Sequence, residues 1–180
     1  MIVCGHGIGV GRHDGPTPPI GTNLAGRTQA LEYDGRVRDP KPELREVSWR
    51  DDEDREALLA LRFEVFVDEQ GVPREMEVDD EDAPSRHFLA VVGGTPVGCV
   101  RLTPKGKVTR LCVVAARRGE GVGGALLARA VDEARAAGFE RIYLHAQTHA
   151  GAFYERYGFE ARGEPFMEAG IEHRKMVLVS

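Results

Sequence analysis

Apolar residues along this chain fall into short runs whose period changes from run to run, and the first 40 residues take no part. Regular spacing begins near Glu43, where Val47 and Trp49 alternate with polar neighbours and predict a short strand. In "DDEDREALLALRFEVF", Leu58, Leu61 and Val65, with Leu59, Phe63 and Phe66, recur at helical spacing and form a broad apolar face. Asp51 to Asp54 suit the positive end of that helix's dipole. "HFLAVV" and "PVGCVRL", joined by Gly93 and Gly94, predict a hairpin, and "KVTRLCVV" a central third strand. Over "VGGALLARAVDEARAAG" a second helix is expected. Val122, Leu126, Ala130 and Ala134 share one side with Leu127 and Val131 beside them, Arg129, Asp132, Glu133 and Arg135 face water, and Gly138 ends it. "RIYLHA" reads as a buried strand, "HAGAFYERYG" as a short helix closed by Gly158, and "HRKMVLV" as the final strand. Helices on both faces of a mixed sheet make an α/β or α+β fold.

Length and composition narrow this to one domain. The chain has 180 residues, 42% hydrophobic and 29% charged, as in ordinary soluble globular proteins. The first 40 carry eight glycines and four prolines without periodicity. Residues 1–42 are therefore expected to be a flexible extension and residues 43–180 the domain. Net charge is -5, which argues against a nucleic-acid partner. Cys4, Cys99 and Cys112 are scattered, with no metal-ligand spacing and no disulfide framework, so no metal and a reducing compartment are expected. No apolar run reaches the ~18 residues of a membrane span, and "MIVCGHGIGV" lacks the basic and apolar regions of a signal peptide. The expected location is cytoplasmic. A homodimer is compatible with the chain, and the oligomeric state is left open.

The candidate chemistry sits in "RRGEGVGG", residues 117–124, between a strand and a helix. Amides at a helix start attract a diphosphate, glycine lets the backbone approach it, and Arg118 adds a planar cation. Gly119, Gly121 and Gly124 also satisfy the dinucleotide spacing G-x-G-x-x-G. That fingerprint normally opens its domain, with a tighter turn and a ribose-binding acid ending the next strand. "RIYLHAQ" ends without one. A Walker loop fails for want of Lys-Ser/Thr. An earlier glycine-rich run, "GHGIGVGRHDGPTPPIG", is followed by prolines rather than a helix.

Arg118, Gly121 and Gly123 fit Arg/Gln-x-x-Gly-x-Gly/Ala, and with "RLCVV" before and "ALL" after, the segment resembles the coenzyme A loop of the GNAT acetyltransferase superfamily. "QTHAGAFYERYGF" resembles its Asn-x-x-Ala-x-x-x-Tyr-x-x-x-Gly-Phe helix, with Gln147 in place of Asn and Ala150, Tyr154, Gly158 and Phe159 in register. "LRFEVFVDEQGV", "SRHFLAV", "AQTHAGAFY" and "FMEAGIEHRKM" narrow the resemblance to the ElaA/YjcF-like branch, from about residue 43 to the end.

The resemblance implies a GNAT acyl-CoA N-acyltransferase fold, mostly antiparallel and splayed at its centre. It implies acetyl transfer from acetyl-CoA to a primary amine of a small acceptor. Leu111, Cys112 and Val113, on a strand that splays at a bulge, would bind pantetheine and the acyl oxygen. Arg118, Gly119, Gly121, Val122, Gly123 and Gly124 would hold the diphosphate, and Gln147 would join the cofactor site. Tyr154 is the expected general acid beside the departing thiolate, since a phenol of pKa about 10 is a donor near neutral pH. His149 and Glu69 lead the candidates for general base, with His87, His145 and His173 behind them. A water chain could replace any of them. Cys112 in an apolar strand is expected to be inert rather than a nucleophile. "EMEVDDED" reads as a solvated loop or, second, as an entrance for a cationic acceptor. The alternative to catalysis is a GNAT-fold module that senses acyl-CoA or an amine.

Overall fold

A computed structural model of the chain describes residues 41–179. The N-terminal extension lies almost wholly outside these residues. Among them the elements run β1 (Glu43–Val47), α1 (Asp52–Arg62), β2 (Arg86–Val92), β3 (Thr95–Leu102), β4 (Val108–Val113), α2 (Val122–Ala136), β5 (Tyr143–Gln147), α3 (Gly151–Glu155), β6 (Phe159–Glu168) and β7 (Ile171–Leu178). Asp51 caps α1 by accepting from the Asp54 amide at 3.0 Å, with acids filling the first turn. Beyond Arg62 the helix widens into a π-turn over Phe63–Asp68. The chain then follows an irregular path through residues 69–85.

The strands form two antiparallel sheets, ordered β1-β2-β3-β4 and β5-β7-β6. Among the described residues a single parallel bridge, Lys107 to Tyr143, links them at the starts of β4 and β5. Past that point the two strands part, leaving an open wedge at their C-terminal ends. Side chains alternate between two cores. Phe88, Val100, Leu111 and Val113 pack with Leu126, Leu127, Ala130 and Ala134 of α2, and on with Leu144, Met176 and Phe159. Leu89, Val91, Cys99 and Cys112 pack with Leu58, Leu61, Val65 and Phe66 of α1. Gly98 permits close approach of β3 to β4, since a Cβ there would lie 2.7 Å from the Cys112 carbonyl oxygen.

One strand reading needs correction. Residues 159–168 are a full strand, missed because "FEARGEPFME" is mostly exposed and interrupted by Gly163 (φ +74) and Pro165. The β6–β7 register shifts between Arg162 and Phe166, so alternation is lost along it. The β3–β4 register shifts between Cys99 and Arg101, so Arg110 and Leu111 together oppose Val100, and Arg110 is a non-glycine at φ +52.

Candidate active site

The wedge has a backbone-built side and a side-chain-built side. On the first, the turn after β4 leads into α2 through Gly119 and Gly121, both at φ +84, where glycine alone is unstrained. A Cβ at either would meet nothing within 4 Å, so the backbone there is open to a ligand. Gly121 caps α2 and supplies no side-chain acceptor for the first amides. Val122 and Gly124 are buried at the helix start, while Gly123 is partly exposed. The Tyr157 hydroxyl presses so closely on this turn that a Cβ at Gly124 would lie 1.8 Å from it.

Arg118 ties this loop to two other elements. Its Nε donates to the Val113 carbonyl at 2.9 Å and its Nη2 to Glu69 Oε2 at 2.6 Å. Val114 donates to Val97 across the β3–β4 ladder at 3.0 Å, so by antiparallel alternation Val113 presents its own groups to the wedge. Next to Glu69, Gln70 Oε1 accepts from Gln147 Nε2 at 3.0 Å, and Gln70 Nε2 is buried without a partner among the described residues. A buried orphan donor at the end of β5 is costly unless a ligand carbonyl meets it. Open glycines, an uncapped helix start, a guanidinium and that donor together fit a diphosphate followed by an amide-bearing arm.

On the α1 face lies a cavity of about 240 Å³, walled by Phe66 and Val72, by Glu77, Asp79 and Glu81, by Arg101, Thr109 and Arg110, and by His145, Glu168 and His173. Within the acidic stretch Glu75 and Asp80 are exposed, as in a solvated loop, but Glu77, Asp79 and Asp82 are paired with arginines. Arg62 Nε donates to Glu77 Oε1 at 2.6 Å and Nη1 to Asp82 Oδ1 at 2.8 Å, and Nη2 donates to the Glu77 carbonyl. Arg101 Nη1 reaches Asp79 Oδ1 and Asp82 Oδ1, each at 2.6 Å. Arg110, turned out by the bulge, pairs with Glu77 at 2.9 Å and Asp79 at 3.0 Å. Arg62, Glu77, Asp82 and Arg101 are buried, so these charges serve one another. Burial would raise the Asp82 carboxyl, but the Arg62 hydrogen bond and the Arg62 and Arg101 charges hold it at about 2.

The predicted site residues separate. Tyr154, on α3, is fully buried, its ring 5.1 Å from Phe153 and 6.1 Å from Phe159. Glu69 is bound to Arg118 on the loop side, which removes it from the cavity and spends its charge on a guanidinium. His149 is exposed on the turn Thr148–Ala150 and does not line the cavity. His87 is structural: it stacks on Trp49 and its Nε2 donates to the Asp82 carbonyl at 2.8 Å. His145 and His173, ranked behind these, do line the cavity, with Glu168, which sequence reasoning did not single out. Leu111, Cys112 and Val113 are buried on β4. The Cys99 thiol beside it and full burial push the Cys112 thiol up, away from a nucleophilic thiolate.

Residues 49–180 match the acetyltransferase (GNAT) domain. The chain belongs to the GNAT acetyltransferase family. It is therefore an acyltransferase of the N-acetyltransferase type, and GNAT folds use acyl-CoA. Among its relatives is the uncharacterized N-acetyltransferase YjcF of Bacillus subtilis, 40% identical over 122 residues, covering 65% of this chain and 86% of YjcF. The crystal structure of an acyl-CoA N-acyltransferase from Pseudomonas aeruginosa superposes with a TM-score of 0.69 at 34% identity, over 77% of this chain and 99% of that one. Escherichia coli ElaA superposes at 0.70 with 28% identity and the same coverage. These place the GNAT domain in the ElaA/YjcF-like branch. No helix among the described residues is long and apolar enough to cross a membrane.

Proposed function

We propose that this GNAT domain moves an acetyl group from acetyl-CoA directly to a primary amine of a small acceptor. One observation carries the reading. The wedge between β4 and β5 has an open glycine-rich helix start on one side and a partly open cavity lined by charged, polar and apolar side chains on the other. A thioester threaded through the wedge would meet an acceptor held in the cavity, and fixing two reactants in this way supplies much of the rate.

The roles divide accordingly. Arg118 and the amides from Gly119 to Gly124 hold the diphosphate, and the backbone amide of Val113, with Gln147 and Gln70, holds the arm. Tyr154 gives its proton to the departing sulfur. A reducing, cytoplasmic setting fits the unbridged thiols of Cys99 and Cys112, which lie 3.5 Å apart. Calorimetric titration of the full chain with CoA, followed by thiol release from acetyl-CoA with primary amines, tests the proposal. Absence of CoA binding at millimolar concentration overturns it.

A further inference from the structure

The cavity wall contributed by the β5-β7-β6 sheet carries a histidine–carboxylate arrangement that the roles above leave unused. His145 and Gln147 lie on the face of β5 opposite Leu144 and Ala146, which enter the α2 core. His145 therefore faces the cavity. Its Nδ1 is 3.0 Å from Glu168 Oε2 on β6, and Phe166 packs edge-on against the ring at 4.8 Å. An ionised carboxylate only accepts, so Nδ1 carries the hydrogen and Nε2 keeps its lone pair. The His145 hydrogen bond holds Glu168 down at about 2 against its partial burial, so the carboxylate is charged throughout the working range.

We propose that His145, oriented by Glu168, is the general base that takes a proton from the acceptor amine. This rests on the transferase reading above. The acceptor arrives as R–NH3+, and His145 Nε2 takes one proton, the imidazolium being stabilised by Glu168. The neutral amine then forms the C–N bond as the C–S bond breaks. Tyr154 protonates the thiolate and is restored by the second proton shed from the acylated nitrogen. His145 returns the first proton to water, so each turnover yields amide, thiol and one proton.

His173, in the same wall, is the poorer choice. Its Nδ1 donates to the Ile171 carbonyl at 2.8 Å, it is 1% exposed, and burial pushes its pKa down. Glu168 acts on that ring only through space, without the hydrogen bond it makes to His145. The His145 side chain is 26% exposed and can exchange protons with water. The charged and titratable groups around His145 are Glu168 from β6, His173 and Lys175 from β7, Tyr143 on β5, Lys107 before β4 and Arg110 across the cavity. Glu168 alone of these bonds to the ring.

Two measurements on the full chain decide it. Thiol release from acetyl-CoA is followed against pH with benzylamine, ethanolamine and 1,4-diaminobutane. His145→Gln should lower kcat near neutral pH by about 10²- to 10⁴-fold, leave CoA affinity unchanged, and regain rate as rising pH supplies free amine. Glu168→Gln should show a smaller loss, reversed in part by Glu168→Asp. A His145→Gln variant within threefold of the parent, with the same pH profile, overturns the proposal while leaving the transferase standing. Nitrogen-15 NMR of the histidine rings needs no acceptor. It should show His145 protonated on Nδ1 when neutral, a preference weakened by Glu168→Gln. A proton on Nε2, or no response to Glu168→Gln, overturns the proposal even if none of the three amines is acetylated.

Discussion

Asp82→Asn changes little in shape and removes one charge where the α1 face of the domain is most dependent on charge. Asp82 is 1% exposed and accepts from Arg62 Nη1 at 2.8 Å, Arg62 Nη2 at 3.1 Å and Arg101 Nη1 at 2.6 Å. It also accepts the Asp79 amide at 3.1 Å. Holding its carboxyl at about 2 instead of 3.8 corresponds to about 2 kcal/mol of stability. Asparagine forfeits that and leaves two buried guanidiniums short of one negative charge, so the cost rises to about 3–5 kcal/mol. For a domain of this size that is a drop in Tm on the order of 10 °C. Urea unfolding followed by circular dichroism, beside thermal scans, would measure it. Because the folded pKa lies below the unfolded one, Asp82's contribution is complete above about pH 4 and disappears as pH falls through 2. The gap between parent and variant should therefore stay constant from pH 8 to pH 5 and narrow in acid. A loss under about 0.5 kcal/mol, or a gap that does not change in acid, would refute the counter-charge reading of residues 75–82.

Three further outcomes follow from the same geometry. Tyr154→Phe should cut kcat by about 10²-fold while the CoA dissociation constant from calorimetry stays put; an unchanged kcat removes the phenol from its role. Glu69→Gln frees Arg118 from a 2.6 Å ion pair that competes with a diphosphate, and because such partly exposed pairs are worth at most about 1 kcal/mol, CoA should bind up to about fivefold tighter; weaker binding would show that Glu69 supports the site. Gly98→Ala drives a methyl into the Cys112 carbonyl and should cost about 1–3 kcal/mol by urea unfolding, whereas a neutral result would mean that the β3–β4 spacing relaxes freely.

What the sequence revealed and what it concealed divide along the same line as the two sides of the wedge. The proposed diphosphate cradle is local. Its strand, glycines and helix start are contiguous, and binding there would be done by backbone whose conformation glycine announces directly. The cavity is assembled from the end of α1, the irregular stretch after it, the bulged half of β4, β5, and the β6–β7 hairpin. No spacing rule connects Arg62 to Asp82 or His145 to Glu168. Glu168 in particular ends a strand whose glycine and proline hide its alternation, so its approach to β5 had no signal. The acids of "EMEVDDED" misled for a related reason: a charge run looks solvated unless its partners are known, and here they come from α1, β3 and β4.

The buried ion network has a consequence for the reaction as well as the fold. Arg62, Arg101 and Arg110 face Glu77, Asp79 and Asp82, with Glu81 at 3.7 Å from Arg101, so the charges of the cavity floor are largely paired with one another. The more exposed groups of the lining are Glu81 and Glu168, with Lys107 and the two imidazoles beside them. For the proposed amine acceptor, a floor whose carboxylates are already paired with arginines holds the ammonium form less strongly. It also keeps the irregular stretch after α1 pinned against β3 and β4, which fixes the cavity's shape with few apolar contacts. Acceptor selection in this domain should therefore follow changes at Glu81, Lys107 and Glu168 more closely than changes in the guanidinium cluster, where substitution acts first on stability.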